Sequence, residues 1–232
     1  MAGIMEMNEI ENNKTNIPGI TSEGEGTDTK LKSEGYFNQR FGSKELNGKA
    51  WIRFINNVKR MVRGSVEYKM FCALCREEFD MSNCKFFGQI DDRDGKVKIE
   101  IHHAILGIHE IIEIIVESMI QKGPITTMLV AHEVMKAHFN LSIPVVSLSE
   151  TAHELVHSGD LQVHMNQTSG DIVEFLRRYK DGFTPELLLK VMDFIENSED
   201  KFDPSILERT EITNRNDLTV DDVIDALMQV IQ

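Results

Sequence analysis

Leu148-Ser-Glu-Thr-Ala-His153-Glu-Leu-Val-His157-Ser-Gly159 is the stretch from which the rest of this chain is read. Its two histidines are four positions apart. On a helix that spacing stacks both imidazoles on one face, one turn apart, where they can share a cation. Val145, Val146 and Leu148 read as a short buried strand leading into that helix, and Gly159 reads as its stop. Upstream, Lys98-Ile-Glu-Ile-His102-His103 is a β-type run that ends in two adjacent histidines. The residues therefore predict two strands and a helix, with histidines placed where the pieces meet.

A chain of 232 residues with 41% hydrophobic content is long enough for one good core and a small appendage. No apolar run is long enough to span a membrane, and the first residues lack a basic-then-apolar leader pattern. Three cysteines make an odd count that suits a reducing compartment better than a disulfide framework, so a cytoplasmic protein with no membrane partner is expected.

The formal net charge of −13 argues against a surface coated for nucleic-acid binding. Its distribution says otherwise. From Arg40 to Arg76 there are nine Lys or Arg against Glu45 and Glu67, a local excess of seven positive charges, while both ends of the chain are acidic. Trp51, Ile52, Phe54, Ile55, Val58, Met61, Val62 and Val66 repeat at helical spacing, which predicts one amphipathic helix over Trp51–Met70. Arg53, Lys59, Arg60 and Arg63 lie on its other faces and are the candidate nucleic-acid contacts, with a solvated helix face as the plainer alternative.

Residues 1–35 are rich in Glu, Asn, Gly, Thr and Ser and read as a disordered arm. Cys72 and Cys75 form a Cys-x-x-Cys pair that could contribute to a structural zinc site from a tight turn, although such sites need four ligands and two inert buried thiols are the plainer reading. Asp91 to Gly95 reads as a turn before a strand over Lys96–Ile101. His109–Gln121 and Thr127–Phe139 read as two helices between the histidine clusters, with His109, His132 and His138 as packing or surface residues. Leu161–Met165 suggests a short strand, and Gly170–Tyr179 and Pro185–Glu196 suggest helices. A final amphipathic helix over residues 219–231 follows an acidic linker and is a candidate for self-association or a protein partner, or for folding back on the core.

The two histidine-bearing blocks, Val97–Ile105 and Val145–Gly159, resemble the HNH endonuclease family of ββα-metal type, and particularly its phage-encoded members. The resemblance implies an α+β, mostly helical fold. A ββα-metal domain would occupy residues 36–184 with a helical insertion over 107–140, and a helical extension would follow over 185–232. It implies that His102, His153 and His157 hold one divalent cation (magnesium, manganese, nickel or zinc) and that His103 is the general base. The reaction would be hydrolysis of double-stranded DNA, with the cation neutralising charge on the phosphate. The asparagine that the family carries nine residues before His153 is Pro144 here. Two other functions fit the same residues. One is a nucleic-acid-binding or phage assembly module without catalysis. The other is a zinc peptidase, because His153-Glu154-Leu-Val-His157 matches His-Glu-x-x-His with Glu154 as its base.

Overall fold

Apolar periodicity sets most of the framework. The computed structural model describes residues 38–92, 95, 97–199, 225 and 228–230. The chain divides between Tyr36 and Phe37, and all of these residues belong to the second unit. The arm expected over 1–35 lies outside the described residues. So does most of the helix expected over 219–231, of which residues 225 and 228–230 are described and helical.

The basic amphipathic stretch forms two helices where one is expected. Helix α1 spans Gly48–Gly64 and α2 spans Val66–Glu78. Ser65 separates them in extended backbone, with φ −74° and ψ 155°. Its hydroxyl donates to the Val62 carbonyl at 2.8 Å and accepts from the Tyr68 amide at 3.0 Å. One side chain thus closes α1 and caps α2, the local competition with helical bonding that serine offers. Phe54, Ile55, Val58 and Val62 anchor α1 in the core, each apolar side chain contributing about 1.5–3 kcal/mol on burial.

Strand β1, Ile99–His103, pairs antiparallel with β2, Val145–Ser149, in a register that sets Ile99 against Ser149 and His103 against Val145. The first strand therefore starts three residues later than Lys96, the expected start. Between the strands run α3, Ile108–Ile120, and α4, Thr127–Phe139, as the spacing predicts. Helix α5, Glu150–Ser158, leaves β2 without a loop, because Ser149 closes the strand and caps the helix, its hydroxyl accepting from the Ala152 amide. Gly159 ends α5 with φ 82°, a left-handed conformation that glycine adopts at little cost.

Leu161–Met165 is not a strand. Val163 is buried against the sheet, and a short 3-10 turn at Met165–Gln167 follows. Helices α6, Ile172–Arg178, and α7, Pro185–Glu199, follow, with a 3-10 turn at Lys180–Gly182 between them. Glu133 of α4 accepts from Arg178 at 2.7 Å and from the Tyr179 hydroxyl at 2.9 Å, tying α6 to α4. The architecture is thus α+β and mostly helical, with a two-stranded antiparallel sheet.

Candidate functional site

Alternation along β1 decides which histidines meet. Successive strand residues point to opposite faces, so Glu100 and His102 share one face and Ile99, Ile101 and His103 the other. Helix α5 packs on β1 and brings His153 and His157 to the His102 side. The three rings meet edge-on, with centroids 4.8 Å apart for His102–His153, 5.1 Å for His102–His157 and 4.5 Å for His153–His157. One nitrogen from each ring lies within 4.8 Å of the others.

The Nε2 atoms of His153 and His157 are 3.0 Å apart. On its far side, His153 Nδ1 lies 3.1 Å from a carboxylate oxygen of Glu100. Lys98 hydrogen-bonds to the other oxygen and holds the Glu100 carboxyl below its ordinary range. Burial, reinforced by the neighbouring His153 and His157, lowers the His102 imidazole to about 4, so this ring is neutral and has a free lone pair near neutral pH.

His103 is elsewhere. Its ring is buried on the opposite face and meets His138 of α4, Nε2 to Nε2, at 3.0 Å. His138 Nδ1 lies 2.7 Å from the Val134 carbonyl and must donate to it, which leaves its Nε2 as the acceptor for a proton carried by His103. Tyr68 and Phe71 pack edge-on against His138. Burial lowers both imidazoles, His138 to about 4 and His103 well below its ordinary range. The pair is a neutral, hydrogen-bonded part of the core. The expectation that His103 serves as general base beside His102 is therefore corrected: both residues lie within β1, and their rings leave on opposite faces, one to His138 and the other to His153.

Cys72 and Cys75 lie on α2 rather than in a turn, and among the described residues no third ligand joins them. Burial pushes the Cys75 thiol up to about 12 and raises that of Cys72, which disfavours the thiolates that zinc requires. Glu154 is exposed on α5, beside His153. His109 lies near Glu113 at 3.5 Å, and His132 is exposed; neither reaches the cluster.

A second feature lies on α1. At about 100° per residue, Lys49, Arg53, Asn56, Arg60 and Arg63 fall on one line directly opposite the buried Phe54, Ile55, Val58 and Val62, and all five are exposed. Lys59 sits on the flank of this line, half-buried. The helix contains no acidic residue. Arg60 donates to the side-chain oxygen of Asn57 at 2.6 Å, which holds the guanidinium along the helix surface.

Glu100 carries no role in the reading of the sequence, although its place two residues before His102 on a strand puts it on the same face. The His103–His138 contact joins residues thirty-five apart and leaves no local pattern.

A small sheet carrying a histidine cluster beside a cationic helix describes a mostly helical protein with one candidate metal centre and one candidate polyanion surface. The particular family is identified by comparison: residues 5–229 match the Bacteriophage G278-like virion protein family, and the chain belongs to it. No curated protein and no solved structure matches. This membership overturns the expected assignment to the HNH endonucleases and leaves the phage origin standing. No helix among the described residues is long and apolar enough to cross a membrane.

Proposed function

We propose that this chain is a component of a bacteriophage particle that contacts the encapsidated nucleic acid through the exposed line of cations on α1. The observation that carries this reading is membership, over residues 5–229, in a family of virion proteins. The cationic helix supplies the contact. Its seventeen residues extend over about 25 Å at 1.5 Å each, enough to follow several phosphates along one groove edge. Arginine is suited to this work, because its fork of donors matches phosphate oxygens and stays charged. Phosphate contacts position a protein without reading sequence, which is what packaging requires. Helix α1 itself contains no acidic residue, so the charge that brings the whole chain to −13 comes from other parts of the sequence.

Binding of the full chain to a short DNA duplex, followed by fluorescence anisotropy across a salt series, tests the contact. Affinity is expected to fall steeply with salt and to be insensitive to sequence. In Arg53→Gln/Arg60→Gln/Arg63→Gln the slope of log K against log salt should shrink by about 0.9 for every phosphate the variant no longer neutralises. Equal affinity and slope for the variant and the wild type would overturn the reading. So would divalent-dependent nicking of plasmid DNA abolished by His102→Ala, since the cluster would then be acting on nucleic acid directly.

A further inference from the structure

We propose that His102, His153 and His157 bind one zinc-class divalent cation, that Glu100 is the positioning residue for His153, and that the ion fastens α5 to β1. The site goes beyond the nucleic-acid contact and does not depend on it.

The ligand geometry is largely built. Glu100 is an acceptor only, so the 3.1 Å contact puts the His153 proton on Nδ1 and leaves its Nε2 as a lone pair. That lone pair faces His157 Nε2 across 3.0 Å. Two imidazole nitrogens each bound at about 2.0–2.1 Å to a tetrahedral ion would lie about 3.3 Å apart, so a cation fits between them with a few tenths of an ångström of opening. His102 approaches from the strand, with all three donor atoms within 4.8 Å. Closing its ring on the ion requires movement of up to about 1.5 Å, by the same geometry. Three protein ligands leave a fourth position for water or a partner's donor.

The donor set selects the ion. Three imidazole nitrogens suit zinc, nickel or cobalt, whereas magnesium and calcium require oxygen ligands, which this cluster lacks in its inner ring. A carboxylate on the far nitrogen of a ligating histidine fixes the ring's orientation and makes it a better donor. Glu100 does this from the same strand face as His102, and Lys98 hydrogen-bonds to its other carboxylate oxygen. The ion would join two elements that α3 and α4 separate in sequence. Metal clips across long chain intervals stabilise most, because they restrict the unfolded chain most.

The test uses the full chain, stripped with a chelator and titrated with zinc and then with cobalt(II). One equivalent of zinc should bind and raise the melting temperature. Cobalt should give the intense visible bands of a tetrahedral site without a thiolate charge-transfer band. His157→Ala and His102→Ala should lose the tight equivalent, and His132→Ala, an exposed histidine outside the cluster, should keep it. Glu100→Gln should retain one equivalent but bind it about 10- to 100-fold more weakly. Circular dichroism on each variant without metal separates loss of the site from loss of the fold. Should a cluster variant fail to fold, the cobalt spectrum of Glu100→Gln still decides. A wild-type chain that takes up no zinc, tight binding retained in His102→Ala/His157→Ala, or a cobalt spectrum with thiolate bands would each overturn the proposal.

Discussion

Lowering the pH from 8 to 5.5 should destabilise this protein through the buried His103–His138 pair, and the size of the loss follows from burial. His138 is fully enclosed by α2 and β1 side chains, and its imidazole is lowered from an ordinary 6.5 to about 4. Above 6.5 neither the folded nor the unfolded chain protonates it, and stability is unaffected. Between 6.5 and about 4 the unfolded chain takes up a proton that the folded chain refuses, so stability falls as pH falls. At pH 5.5 the linkage costs about 1–2 kcal/mol from His138 alone, and His103, shifted the same way, adds to it. Urea denaturation in the presence of a chelator, at pH 8, 7, 6 and 5.5, reads the effect as a falling midpoint. With a slope of about 2–3 kcal/mol per molar urea, the His138 share alone should lower the midpoint by roughly half a molar, and the His103 share should lower it further. His103→Leu/His138→Leu removes both protonation sites while keeping an apolar core, and its midpoint should vary less over that range. His102→Asn is the companion control, because the His102 imidazole is lowered in the same direction. A wild-type midpoint that holds constant from pH 8 to 5.5, or a double variant with an unchanged pH slope, would refute the account of a neutral buried pair.

Gly182→Ala should destabilise the fold by about 1–3 kcal/mol in urea or thermal unfolding, because a Cβ there would lie 2.0 Å from the Ile114 carbonyl oxygen of α3. Thiol labelling of the native protein should modify Cys72 at most, since Cys75 and Cys84 are buried and the Cys75 thiol is raised to about 12; rapid labelling of all three would contradict this packing.

Helical periodicity makes α1, α3 and α4 legible in the sequence, because their apolar residues face one core and nothing local competes with them. The break at Ser65 is not legible. A single hydroxyl, bonded both to Val62 and to Tyr68, ends one helix and begins another inside an unbroken apolar stripe. The helix stop at Gly159 can be read directly, since it depends on local capping chemistry, whereas the cap that Ser149 provides emerges only in the structure. The pairing of His153 with His157 is legible in their i,i+4 spacing; that His102 joins them is implied only by the family resemblance, and a strand beside a helix makes such a meeting geometrically easy. That ease is why the cluster misleads as a guide to family. Two strands, a helix and a few histidines can converge in unrelated chains, whereas the virion-protein match extends over residues 5–229. His103 is misplaced when adjacent histidines are assigned to one site, against strand alternation. Its actual partner, His138, is a long-range contact that no local spacing encodes.

The most direct measurement is peptide mass spectrometry on density-gradient-purified, nuclease-treated particles of the phage that encodes this chain. The chain should be recovered in fixed proportion to the other particle proteins across the gradient peak. Its confinement to the soluble fraction of the infected-cell lysate, with none in the particle peak, would contradict the proposed function.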